Sequence, residues 1–183
     1  NATFPNTSII SHDYSAYGYY NITVTISGTN GCSDSRTYLF YNGSNPSVGL
    51  ANPGNTVGLC APATIKFPIT NTGNNPTGTE YFIYIGGEVV DSFSQNNVPA
   101  IYSYTFLESS CGLGTSTGNY ENAFDVQVIA SNPCGTSQAT IEPIEVSTPP
   151  VPIFIVDQPT LGCVDDIFAI SDASANDNEV ISG

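Results

Sequence analysis

Composition, alternating apolar runs and an internal repeat at domain length together predict an all-β chain of tandem sandwich domains. Charged residues make up 10% of the 183 positions, well below the roughly 25% of ordinary soluble domains. Lys and Arg total 2 and Met is absent, while Tyr and Phe number 11 and 9. Helix formers are therefore scarce, and β-branched and aromatic residues dominate. A hydrophobic content of 40% can supply a core for one large domain or two small ones.

The strands follow in order. Residues 19–27 place Tyr20, Ile22, Val24 and Ile26 on one face, the period-two pattern of a half-buried strand. Residues 37–41 follow a Gly/Asn turn and complete a hairpin. Ile65, Phe67 and Ile69 alternate next, with Pro68 marking an edge or a bulge. Residues 80–85 and 88–93 flank Gly86-Gly87, a two-residue hairpin turn. Residues 101–107 form another strand. Phe124, Val126 and Val128 alternate within 123–131. Strands over 140–146, 151–156 and 166–170 complete the set, and no amphipathic helix is found. Short strands between turn signals predict a sandwich or barrel.

The repeat fixes the organisation. The stretch from Ile22 to Cys32 matches that from Phe124 to Cys134: an alternating strand, a turn carrying Asn, then a Cys. Leu59-Cys60 before a strand matches Gly162-Cys163 before another. Cys32 and Cys134 lie 102 positions apart, and Cys60 and Cys163 lie 103 apart. This period predicts one immunoglobulin-like (Ig-like) sandwich per repeat. Residues 48–147 read as a complete domain, 1–47 as the last strands of a preceding one, and 148–183 as the first strands of the next. Asn45-Pro46 and Thr148-Pro149-Pro150 read as stiff extended linkers. The start at Asn1, without Met, reads as a mature or excised segment of a longer protein. Partial sandwiches expose strand edges. They are expected to be completed by a neighbouring repeat, or by exchange of strands between separate copies.

Charge narrows the function. The net charge is −14, and Arg36 and Lys66 are the two cations. A nucleic-acid partner requires a basic footprint, which is missing; an anionic membrane surface is disfavoured for the same reason. No stretch is long and apolar enough to insert into a bilayer. The acidity reads first as solubility, with divalent-cation binding as the alternative.

The 5 cysteines, Cys32, Cys60, Cys111, Cys134 and Cys163, contain no C-x-x-C pair, and His12 is the single histidine. Zinc is therefore not expected. Wide spacing suits disulfides in an oxidising compartment. Cys60–Cys111 is the first choice, because both fall at one end of a sandwich. Cys32–Cys60 with Cys134–Cys163 is the alternative, and the sequence leaves connectivity open.

Nothing points to catalysis. There is no nucleophile elbow and no phosphate-binding glycine loop. Asp165 and Asp166 are adjacent on an expected strand, so they face opposite ways. The chain is accordingly expected not to be an enzyme, and no cofactor is expected beyond calcium. Asp165, Asp166, Asp172 and Asp177, with Glu179 nearby, are weak calcium candidates that lack EF-hand spacing; solvated loop acids are the plainer reading. Asn1, Asn6, Asn21 and Asn42 open N-x-Ser/Thr acceptor motifs. Tyr and Phe fall mostly at inward positions, so no aromatic sugar platform is expected.

His12-Asp13-Tyr14, the run Gly18-Tyr-Tyr-Asn-Ile-Thr-Val-Thr-Ile26, and Asn30-Gly31-Cys32-Ser33-Asp34 together resemble the C-terminal half of a PKD domain. That family carries His-x-Tyr, then Gly-x-Tyr-x-Val-x-Leu-x-Val, then often Asn-Gly-Cys in Bacteroidetes surface proteins. The resemblance covers residues 12–40, extends loosely to 124–146 and 160–174, and lacks the family's Trp-Asp-Phe-Gly-Asp-Gly segment. Residues 48–147 are read only as Ig-like. Asp91-Ser92-Phe93 resembles the O-glycosylation motif of the same phylum, which adds Ser92 to the glycan candidates. The resemblance implies a secreted or cell-surface multidomain protein with a structural His12. The expected function is a structural repeat of an extracellular filament or long cell-surface adhesin stalk. Its expected partners are copies of itself or neighbouring repeats, and surface glycans. A carbohydrate-binding or spacer module of a secreted multidomain enzyme is the alternative.

Overall fold

The computed structural model describes residues 9–150, 152–156 and 169–172. Among these residues every regular element is a strand. The chain opens with a long hairpin, β1 (Gly18–Ser27) and β2 (Ser33–Asn42). A sandwich follows: β3 (Gly49–Leu50), β4 (Leu59–Cys60), β5 (Ala63–Thr70), β6 (Glu80–Ile85), β7 (Glu88–Ser94), β8 (Ile101–Phe106), β9 (Phe124–Asn132), β10 (Gly135–Ile144) and β11 (Val146–Ser147). β12 (Phe154–Val156) pairs antiparallel with β13 (Ile170–Asp172).

One sheet of the sandwich has the order β3-β5-β8 and the other β10-β9-β6-β7. This is an Ig-like β-sandwich, and the fold is all-β. Alternation along the strands builds its core. Ile65, Phe67 and Ile69 of β5 face inward, as do Tyr81, Ile83 and Ile85 of β6 and Val126, Val128 and Ala130 of β9. Val48, Phe106, Ile144 and Val146 close the ends. Tyr81 and Phe67 are the largest of its side chains with no exposed surface. Burying a large apolar side chain contributes roughly 1.5–3 kcal/mol.

The Gly86-Gly87 turn forms as expected, with φ of 56° and 84°, the left-handed pair that matches strand twist. Pro68 departs from expectation, because β5 is the central strand of its sheet. The Pro68 carbonyl accepts a hydrogen bond from Ala51 N at 3.0 Å. The missing N–H faces that same side, so the β3–β5 ladder stops there and no donor is lost from the β8 side. The second strand also starts earlier than expected. Ser33 and Ser35 look like turn residues, yet Ser35 and Thr37 meet Thr25 and Thr23 across the hairpin through hydroxyl hydrogen bonds of 2.8 Å each.

The β1–β2 hairpin has two unlike faces. Its register pairs Tyr20 with Phe40, Ile22 with Tyr38 and Val24 with Arg36. These residues and Ile26 make an apolar face. The other face carries Asn21, the Thr/Ser ladder and, at its base, Tyr19 beside Tyr41. The apolar face is open: Ile22, Val24 and Ile26 are 36%, 50% and 73% exposed. Aromatic rings are thus outward here, in contrast to the expectation that they point inward. Tyr38 and Phe40 are exposed, and Tyr14 packs on Tyr20 and Phe40.

Candidate functional site

The most elaborate polar constellation is the joint between the β1–β2 hairpin and the sandwich. Residues 43–47 connect the two, and Pro46 of this linker is buried. Asn75 holds it from the sandwich side. Its Oδ1 accepts from Ser47 N at 2.8 Å, and its Nδ2 donates to Ser47 O at 2.6 Å. A side chain thereby imitates one rung of a β-ladder. Asn75 Nδ2 also lies 2.6 Å from the Tyr81 hydroxyl, which donates to Gln95 Oε1 at 2.5 Å. Gln95 Nε2 in turn donates to Thr72 O at 2.8 Å. Burial raises the Tyr81 phenol above its ordinary value, and the Asn75 hydrogen bond offsets part of that rise. Tyr81 is therefore a neutral hydroxyl wedged at the base of the core.

Asn132 grips the linker from the other side. Its Nδ2 donates to Ser44 O at 3.0 Å and to Thr79 Oγ1 at 3.1 Å. Its Oδ1 accepts from Cys134 N at 2.8 Å. Asn30 makes the same turn bond to Cys32 N at 3.2 Å. The two Asn-x-Cys segments thus share this side-chain bond but not their turn: Asn30 lies inside the loop 28–32 between β1 and β2, whereas Asn132 ends β9 and only Pro133 and Cys134 separate it from β10. Gly78 completes the joint. Its φ is 94°, and an added Cβ there would come within 3.0 Å of Tyr19 and 3.2 Å of Tyr41. The Tyr41 hydroxyl donates to Thr77 O at 3.3 Å. Burial, then Cys134 and Tyr19 when ionised, raise the Tyr41 phenol.

The sequence-predicted residues are scattered. His12 stacks edge-on to Tyr14, with ring centres 4.7 Å apart, and is exposed. Cys32, Cys60, Cys111 and Cys134 are exposed free thiols, so neither Cys60–Cys111 nor Cys32–Cys60 is bridged. The reason lies in β11. β4 pairs with one edge of it, Cys60 opposite Ser147, whereas Ser110 bonds Val146 N and O on the other edge. β11 thus lies between β4, which carries Cys60, and Ser110, the chain neighbour of Cys111. Cys163 lies outside the described residues, as do Asn1, Asn6, Asp165, Asp166 and Asp177. Asp172 is placed by its backbone, opposite Phe154. Among the described residues no group of three His, Cys, Asp or Glu is close enough to hold a metal.

Asn21 and Ser92 are exposed. Asn42 is half-buried, and its Nδ2 donates to Ala16 O at 2.7 Å and Tyr14 O at 3.2 Å. A glycan at that nitrogen would replace one of the two donating hydrogens, so at most one of these bonds could persist. An open hollow of about 460 Å³ lies between Pro53, Leu59 and Lys66 and is lined by neither carboxylate nor imidazole. Sequence reasoning missed Asn75 and Gly78 entirely. Asn132 was legible only as a repeat landmark.

No family model and no curated protein matches the chain. Among solved structures, it is similar to the fibronectin(III)-like modules of Clostridium thermocellum CbhA, with 17% identity and a TM-score of 0.40. That likeness covers 73% of this chain, and the chain spans 65% of the length of that structure.

Proposed function

We propose that the chain is a non-catalytic structural repeat of an extracellular filament or long cell-surface adhesin stalk, assembled from PKD-like and Ig-like modules. The observation that carries this reading is the joint. Asn75 and Asn132 fasten the linker by both its carbonyls and its N–H, and Tyr19 and Tyr41 seat over Gly78. A spacer that must transmit orientation needs a fixed hinge, whereas independent domains on a flexible tether do not. Strong acidity without a basic patch suits a surface that stays dispersed among its neighbours.

A second reading has its own observation. Tyr38 and Phe40, exposed on one hairpin face, could stack on sugar rings, as a carbohydrate-binding or spacer module of a secreted enzyme would. Electron microscopy of the native material separates the two. Regular filaments or rods with a constant axial repeat support the stalk. Dispersed particles together with retention on a polysaccharide column favour the carbohydrate module.

A further inference from the structure

We infer that Asn30 is a site of self-modification, converting to aspartate and isoaspartate through a cyclic imide, and that the fold withholds the same reaction from Asn42. The chain holds two Asn-Gly pairs, Asn30-Gly31 and Asn42-Gly43. In such a pair the glycine nitrogen can attack the asparagine side-chain carbon, because no Cβ on the glycine shields it. At Asn30 a bond forms between Gly31 N and Asn30 Cγ, and the Cγ–Nδ2 bond breaks. The side-chain nitrogen leaves as ammonia, taking the proton that Gly31 N gives up. Water then opens the ring at either carbonyl. Opening at the main-chain carbonyl leaves isoaspartate, and opening at Cγ leaves aspartate. Water is the only co-reactant.

Ring closure has a geometric condition. The asparagine ψ must leave the extended value of a strand, so that the next nitrogen approaches Cγ. Asn30 is a central residue of the turn closed by Gly31 N on Gly28 O at 3.1 Å, a position at which turns hold ψ near zero. Its Oδ1 accepts from Cys32 N at 3.2 Å, a donor that stabilises the negative charge developing on that oxygen during attack. Among the described residues its Nδ2, the departing group, has no hydrogen bond. The loop is exposed, and nothing lies within 4 Å of where a Gly31 Cβ would sit. Asn42 is placed differently on each count. It ends β2, opposite Gly18, with the backbone of a strand. Its Nδ2 donates to Ala16 O at 2.7 Å and Tyr14 O at 3.2 Å, so the departing group is tied down twice. The Tyr41 ring fills the space beside Gly43. Asn132 shares the Asn30 bond to a Cys N–H, but Pro133 follows it and has no N–H to give up. Each event at Asn30 adds a negative charge to a chain of net charge −14. Isoaspartate also lengthens the backbone inside the loop where Gly28 N meets Cys32 O at 2.8 Å. The change accumulates with the protein's age, whatever its role.

Peptide mapping by liquid chromatography and mass spectrometry tests this on the full chain, incubated in mildly alkaline buffer with and without urea. In the folded chain Asn30 should convert to a mixture of isoaspartate and aspartate. Asn42 should convert at least about tenfold more slowly, because two hydrogen bonds must open before it can react. In urea the two pairs should react at similar rates, since the fold no longer separates them. Asn132 should stay intact in both conditions. Asn30→Gln, whose longer side chain cyclises far more slowly, should leave the peptide that spans 28–32 unchanged over the same incubation. Equal rates for the two pairs in the folded chain, a faster Asn42, or an Asn30 that reacts only in urea overturns the inference. Aspartate formed without isoaspartate also overturns it, because direct hydrolysis would then replace the ring.

Discussion

A carboxamide offers two donors and one acceptor, and Asn75 directs all three at the Ser47 backbone and the Tyr81 hydroxyl. Truncation to Ala would strand partly buried groups on both sides. Asn75→Ala should therefore cost about 1–3 kcal/mol, read as a lower urea midpoint by tyrosine fluorescence. Gly78→Ala combines a left-handed backbone with crowding against two rings. A cost of about 1–2 kcal/mol is expected, together with loss of hairpin-to-sandwich NOEs. Glu142 brings pH into the picture. Burial raises its carboxyl, but hydrogen bonds from Asn119, Thr117 and Thr115 outweigh burial and hold it below the ordinary value. Its contribution is thus complete at neutral pH and fades as pH falls through the lowered folded-state value. Glu142→Gln should flatten the acid limb of a thermal-midpoint profile. The roles of Asn75 and Asn132 were invisible in the sequence because their partners include backbone atoms distant along the chain. Ser47 and Asn75 are 28 positions apart, and Ser44 and Asn132 are 88 apart.

At the scale of elements, alternation is local and was readable; its cover is not. Ile83 and Ile26 sit in near-identical patterns, yet Ile83 is 1% exposed and Ile26 is 73% exposed. The difference is the sheet that lies opposite. Ile83→Ala should cost about 2–5 kcal/mol, whereas Ile26→Ala should stay within about 0.5 kcal/mol in the isolated chain; paired urea titrations would show the contrast. The Gly86-Gly87 turn was legible because its geometry is set by the residues that form it. Pro68 misled because edge and centre are properties of neighbours: a strand can be central and still be bare on one side for part of its length. Cys60 and Cys111 misled in a related way. Their shared end of the sandwich could be inferred from strand order, but the interposed β11 could not.

For the whole molecule, charge sets the terms of association. Two chains of net charge −14 repel over distances that salt shortens, from roughly 30 Å at 0.01 M to about 8 Å at 0.15 M. Assembly driven by apolar faces should therefore strengthen as salt rises, and light scattering across a sodium chloride series would record it. Weakening with salt would instead point to ion pairs as the main attraction.

The pairing of β4 with β11 gives the sandwich a mechanical character. These two short strands lie near opposite ends of the sandwich's stretch of chain, yet they run parallel, tied by Leu59 N to Glu145 O at 3.2 Å and Ala61 N to Ser147 O at 2.8 Å. A pull on both ends drives parallel neighbours past one another, so their hydrogen bonds are loaded together in shear. An antiparallel hairpin pulled at its open end gives way one rung at a time. Tension along the chain therefore meets the sandwich as a latch, and the force needed to open it exceeds what its equilibrium stability alone would suggest.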